Sequence, residues 1–205
     1  MKLADYTLAY PGRCPTCLMK QHICLCGSVR PFPNRTPVTI VMHRREVYKP
    51  SGTSRLTNLA LGNCDVYLRG HVRNPLDLEQ MFPEPESCLY LNLSERSQEL
   101  DRDFAESHAF TRLVVPDGSW RQARKMGRRE PTLERMQWVR LPSGIDSRYR
   151  LRRQPVANGL ATIEAIAIAL GILDGPAVED HLNAIFALMV ERTLADRLAG
   201  PPSII

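Results

Sequence analysis

Five short runs rich in β-forming residues, Val38–Met42, Val66–Leu68, Cys88–Leu91, Arg112–Val115 and Gln137–Leu141, recur along the chain, mostly with segments between them that can be helical. That alternation constrains the fold more than any other feature, because strands separated by helices pair side by side as an α/β domain with a largely parallel sheet. Segments Glu95–Ser107 and Ser119–Arg129 read as polar helices between strands. Leu160–Leu170 is apolar on nearly every face and is expected to be a buried helix that stops near Gly171 to Pro176. A last helix follows, with Val178, Leu182, Ile185, Phe186, Met189 and Val190 on one stripe. At 205 residues the chain can bury a sizeable core as one domain, with room for a small appended module.

The appended module is expected at residues 1–30, ahead of a main domain at residues 38–198. Cys14, Cys17, Cys24 and Cys26 fall within thirteen residues, and the proline-rich connection Pro31, Pro33 and Pro37 follows. Clustered cysteines favour a metal over a disulfide framework, and four thiolates suit a closed structural Zn²⁺ site. The alternatives are a reduced, unligated cluster or a redox dithiol, with His22 as a possible alternative ligand to the metal. The N-terminus carries no apolar core of signal-peptide length, and the run from Leu160 to Leu173 holds Glu164 and is too short to span a bilayer. A cytoplasmic protein without a membrane partner is expected.

Chemistry concentrates where the Arg112–Val115 run meets the next helix, at Pro116-Asp117-Gly118-Ser119-Trp120. Ligands of open α/β sheets sit outside the carboxyl ends of strands, so a carboxylate fixed in this turn can accept a proton or position a nucleophile. Asp117 can equally be an Asx-turn residue, Ser119 a helix N-cap, and Trp120 either core or a π surface for a base or a sulfonium. Arg121, Arg124, Lys125 and Arg128 then recur at i, i+3, i+4 and i+7, four cations on one helical face. Residues 121–153 hold eleven Lys/Arg against three acids, a local +8 that leaves −3 for the rest of the chain. Such asymmetry points to a polyanion, with RNA or DNA first, or to a solvated basic face.

Three further segments are informative. His43-Arg44-Arg45-Glu46 followed by Ser51-Gly52-Thr53-Ser54-Arg55 has a strand, loop and capped-helix layout that can bind an anion, or simply caps the helix. Ser147–Pro155, with Arg148, Arg150, Arg152 and Arg153, reads as a basic loop. Glu164 is either an acid in the first turn of the buried helix, where the macrodipole favours it, or a site residue.

Taken in order, the cysteine cluster, His43 with Glu46, Val114 to Ala123, Ser147 to Arg152 and Leu160 to Ala165 resemble the DTW-domain proteins, the tRNA-uridine aminocarboxypropyltransferases. The likeness spans nearly the whole chain. Ser119 stands where the family signature Asp-x-Thr-Trp has threonine, which keeps the hydroxyl, and Ser51-Gly52-Thr53 stands where an Asn-Thr pair is common.

The resemblance implies a SPOUT-like α/β fold and S-adenosylmethionine as donor of its 3-amino-3-carboxypropyl group to N3 of a uridine, giving acp3U and methylthioadenosine. It implies Asp117 as the base or uridine-orienting group, and Ser119 and Trp120 as shapers of the pocket. Leu93, Ser94, Pro116, Tyr149, Arg150 and Thr162 are implied for the donor site. The basic helix and loop, with Arg121, Arg124, Lys125, Arg128, Arg148, Arg152 and Arg153, would hold tRNA. The competing functions are a SPOUT-type RNA methyltransferase, the same transfer onto ribosomal RNA, and a non-catalytic zinc-bearing RNA-binding protein.

Overall fold

The structure, a computed structural model, describes residues 1–5, 10–71, 73–149, 151 and 159–199. Six strands form one sheet: β1 (Val38–His43), β2 (Cys64–Arg69), β3 (Cys88–Leu91), β4 (Gln98–Glu99), β5 (Arg112–Asp117) and β6 (Gln137–Arg140). Their order is β2-β1-β5-β3-β6-β4, and every pairing is parallel. All carboxyl ends therefore lie along one edge of the sheet. The helices are α1 (Ser54–Ala60), α2 (Leu78–Met81), α3 (Arg102–Ser107), α4 (Trp120–Arg129), α5 (Pro131–Glu134), α6 (Thr162–Leu173) and α7 (Pro176–Ala199).

Because side chains alternate along a strand, each strand feeds two cores. Ile40, Met42, Leu89, Leu113, Val115 and Val139 face the larger one, against α1, α6, α7 and the cysteine segment. Val41, Tyr90, Val114 and Trp138 face a smaller one, closed by Leu78, Met126 and Leu133 from α2, α4 and α5. The six apolar residues of the predicted stripe are the buried residues of α7. Gly175, at φ +111°, makes the tight link from α6 to Pro176, a backbone conformation that strains any residue with a Cβ.

Two local expectations change. Glu95–Ser107 is not one helix. Gln98 and Glu99 pair with β6 as a parallel edge strand, Leu100 is fully buried, and the helix begins only after Asp101, whose side chain accepts from the Phe104 N–H at 2.7 Å. The stretch Glu95 to Glu99 has no apolar residue to bury from a helical face, so sheet pairing wins. The Arg112–Val115 run also continues through Pro116 and Asp117. Pro116 is tolerated there because it lies beyond the last β3 pair, at Val114, where pairing to β1 alone continues.

Residues Cys17, Leu18, Met19, Leu25 and Val29 pack into the larger core. The cysteine segment is further tied to α7: Asp196 pairs with Lys20 at 2.7 Å and His22 at 2.6 Å, and Arg192 donates to the Cys24 carbonyl at 3.0 Å. Among the described residues no helix is long and apolar enough to cross a membrane.

Candidate functional site

The four cysteine sulfurs lie within 4.8 Å of one another. Cys14 and Cys26 are 3.7 Å apart, as are Cys17 and Cys24. A tetrahedron of sulfurs at ~2.3 Å from zinc has edges of about 3.8 Å, so the cluster has the size and shape of a Cys₄ zinc site. The Cys14 amide donates to Met19 O and the Leu18 amide to Cys14 O, and Leu18 takes φ +61° to turn the knuckle. Burial raises the Cys14 thiol, but the backbone N–H groups of Cys17 and Thr16 outweigh it and draw Cys14 down to about 6. Burial pushes Cys17 and Cys26 up, so a cation is what would ionise these two beside Cys14. His22, expected as a possible alternative ligand, is turned to Asp196 instead.

At the carboxyl end of β5 the Asp117 carboxylate is buried. Its Oδ2 accepts from Ser54 Oγ at 2.7 Å and its Oδ1 from Thr162 Oγ1 at 2.8 Å. The acid thereby ties the end of the strand to the first residues of α1 and α6. A second link runs between those helices, because Ile163 N–H donates to Thr53 Oγ1 at 3.2 Å. Ser119 caps α4 in a capping box: Gln122 N–H donates to its Oγ at 3.4 Å, and Ser119 N–H donates to Gln122 Oε1 at 2.7 Å. Gly118 fits because a Cβ there would come within 3.0 Å of Gln122 Cβ. His43, at the end of β1, lies 3.1 Å through Nδ1 from Gln122 Nε2 and accepts from Arg45 N–H at 3.2 Å. Burial lowers its pKa, with the Glu46 charge opposing.

Asp117 opens onto a cavity of about 560 Å³ at the carboxyl ends of β1, β3, β5 and β6. That volume falls within the ~300–1,000 Å³ usual for small-molecule sites, and the position is where an open α/β sheet places its ligand. Leu93, Pro116, Asp117, Ser119, Trp120 and Thr162 all line it, so most of the expected site residues converge. Ser94 lines an adjoining recess of about 800 Å³ with Asn92, Arg124, Arg128, Trp138 and Arg140. Leu93, with 58% of its surface exposed, forms the lip common to both.

Tyr149 is not brought to the cavity. It is buried against Phe186, with ring centroids 5.4 Å apart, and donates its hydroxyl to Ser51 O at 2.5 Å, which makes it a strut beneath the loop before α1. Arg150, Arg152 and Arg153 lie outside the described residues. Glu164 is buried and accepts from Ala161 N–H, Arg148 N–H and Ser147 Oγ at 2.6–2.8 Å. It fastens the start of the basic loop to the first turn of α6.

Arg121, Arg124, Lys125 and Arg128 are exposed on α4, and among the described residues none of them is in an ion pair. Arg124 reaches the walls of both cavities. Three contributors are not singled out by the sequence as site residues: Ser54 reads only as part of a capped helix, Glu46 only as part of a motif, and of Arg140–Ile145 only Arg140 and Leu141 enter, as the end of a strand run; the strand-end rule points to the residues that follow.

With this arrangement described, comparison with known proteins is decisive about family. The DTW domain family model matches residues 12–194, from the cysteine knuckle well into α7. The chain belongs to the DTW domain family. A DTW relative from Drosophila melanogaster, named tRNA-uridine aminocarboxypropyltransferase 2, is 29% identical over 80% of this chain and 67% of its own length. The mouse protein of the same name is 27% identical over 78% of this chain and 56% of itself, so the chain spans little more than half of that relative. Among solved structures, the SAM-dependent rRNA:acp-transferase Tsr3 from Vulcanisaeta distributa superposes with a TM-score of 0.50 at 14% identity, over 80% of each chain. That likeness bears on the fold, and it agrees with the SPOUT-like parallel sheet expected from the sequence.

Proposed function

We propose that this DTW-domain chain is an enzyme that moves the 3-amino-3-carboxypropyl group of S-adenosylmethionine to N3 of a uridine in tRNA, with a structural zinc in its cysteine knuckle. The observation that carries the reading is a buried carboxylate, Asp117, held by two hydroxyls on the wall of a strand-end cavity that adjoins the basic face of α4. The names of the relatives, which specify a tRNA uridine and this group, support the substrate.

In the proposed step the N3 lone pair attacks Cγ of the methionyl moiety. The Cγ–S bond breaks, its electrons stay on sulfur, and methylthioadenosine leaves neutral while the N3 proton is lost. Asp117 accepts a hydrogen bond from N3–H and takes that proton. Both of its oxygens already accept a hydroxyl, so its aim is fixed before substrate arrives. Trp120, Pro116, Leu93 and Thr162 frame the donor and the base, with Ser119 holding the turn through its cap. Ser94 borders the donor from the adjoining recess and Tyr149 supports the site from below, while Arg150 is assigned to the donor by the family resemblance alone. Arg121, Arg124, Lys125 and Arg128 track the RNA backbone, joined by Arg148, Arg152 and Arg153 from the basic loop.

Transfer onto ribosomal RNA is the second reading, favoured by the description of the structural neighbour. Separate incubations with unmodified tRNA and with ribosomal RNA, each with S-adenosylmethionine labelled in either the methyl or the carboxypropyl carbons, test the reading. Carboxypropyl label in tRNA with release of methylthioadenosine is expected. Methyl label in RNA would identify a methyltransferase, and salt-sensitive binding without methylthioadenosine would identify a non-catalytic RNA-binding protein.

A further inference from the structure

Glu46 and Lys49 sit on the wall of the Asp117 cavity but have no role in the step described above. Glu46 opens the single 3₁₀ turn Glu46–Tyr48 just past the end of β1, and β1 runs beside β5 with Met42 opposite Asp117. The turn therefore stands next to the reacting end of the cavity. The Glu46 side chain is only 6% exposed, and its Oε1 meets Lys49 Nζ at 2.7 Å. Among the described residues no other hydrogen bond reaches that carboxylate. Lys49 is 42% exposed and keeps two of its three donor hydrogens for other partners. A buried acid and an accessible ammonium, adjacent in one cavity, form a pair of opposite charges with acceptor and donor capacity left over. That is the complement of an α-amino-acid zwitterion.

We propose that Glu46 and Lys49 clamp the amino-acid end of the donor, Glu46 taking the α-ammonium and Lys49 the α-carboxylate. The inference rests on S-adenosylmethionine being the donor, and adds what that reading leaves open: which groups immobilise the part that moves. In methyl transfer the amino-acid end can trail in solvent. In carboxypropyl transfer it carries the electrophilic carbon, so its two charges must be held for Cγ to face the nucleophile. Gripping a zwitterion with an ion pair exchanges charge partners without burying net charge, which keeps desolvation low.

Two ligands separate the contributions. S-adenosylhomocysteine keeps the amino-acid end, and methylthioadenosine lacks it while retaining the nucleoside and sulfur. Binding of each to the full chain is measured by calorimetry for the wild type, Glu46→Gln and Lys49→Met. Loss of a charge-assisted hydrogen bond is expected to weaken S-adenosylhomocysteine about tenfold or more in either variant. Methylthioadenosine should change less than about twofold, because it touches neither charge. Equal weakening of both ligands, or of neither, would overturn the clamp while leaving the donor reading intact. A wild type that binds neither ligand would overturn the donor reading itself, and the clamp with it. Lys49→Met alters a half-exposed side chain, so it keeps the test valid if Glu46→Gln fails to fold.

Discussion

The cysteine knuckle and the Asp117 turn are both sets of polar side chains held a few ångströms apart, yet one closes on itself and the other faces a cavity. In the knuckle the four sulfurs lie within 4.8 Å of one another, and the segment is tied to the larger core and to α7. In the turn, Asp117 is held by Ser54 and Thr162 but remains on the wall of a 560 Å³ space. A closed cluster stabilises, whereas an open one can react. The division of labour proposed for this chain, structural metal at one end and chemistry at the other, follows from that contrast.

The contrast can be broken most severely at the knuckle. Structural zinc contributes about 10–16 kcal/mol to the folding of isolated zinc fingers. Stripping it here, or replacing Cys17 with alanine, is expected to cost several kcal/mol, read as a fall in the thermal unfolding midpoint on adding chelator. An unchanged midpoint, together with no metal in protein purified without chelator, would remove the zinc. At the turn, Asp117→Ala is expected to slow transfer about 10²–10⁴-fold. It also leaves the buried Ser54 hydroxyl without its acceptor, a penalty of about 1–3 kcal/mol. Loss of stability with undiminished transfer would make Asp117 a strut like the cysteines.

Helix α4 runs on from the Asp117 turn, over the smaller core and away from the knuckle, which packs into the larger one. Arg121→Ala/Lys125→Ala, at two exposed positions that line neither cavity, should weaken tRNA binding and reduce the salt slope of log Kd by about 2, one per lost phosphate contact, with S-adenosylhomocysteine affinity unchanged. An unaltered slope would leave α4 a merely solvated basic face. The smallest effect concerns pH. The folded protein lowers the pKa of His43 below 6.5, so the unfolded chain binds its proton first as pH falls. The stability that His43 contributes is complete above about pH 6.5 and is lost below it, as its protonated Nδ1 can no longer accept from Arg45 N–H. Unfolding midpoints measured between pH 7.5 and 5.5 should fall less steeply in His43→Asn, and parallel curves would show that the contact is idle.

These regions also differ in how far the sequence discloses them. The knuckle's ligands span thirteen residues, so spacing alone is informative, and the stripe of α7 is legible for the same reason of local period. The Asp117 site gathers Ser54 from 63 residues away and Thr162 from 45. Only the sheet order β2-β1-β5-β3 brings β1 and β5 together, and no local pattern encodes that neighbourhood. Hence Asp117 is legible as a strand-end acid and Thr162 through the family resemblance, while the bonds that join them, and Ser54's part in them, are not. Tyr149 is implied for the donor site by the family resemblance, and its ring packs on Phe186 while its hydroxyl reaches the Ser51 carbonyl, 98 residues away, contacts that no local pattern encodes. The short strand β4 was missed because two residues of pairing carry no periodicity.

The central claim is that the reaction belongs to the Asp117 turn. It is tested most directly by single-turnover transfer of carboxypropyl label from S-adenosylmethionine to tRNA, comparing wild type with Asp117→Asn after both are shown to bind S-adenosylhomocysteine. The account predicts labelled acp3U and methylthioadenosine from the wild type, and a rate at least about a hundredfold lower from the variant. A variant that binds the donor analogue and transfers within a few-fold of the wild-type rate would contradict it.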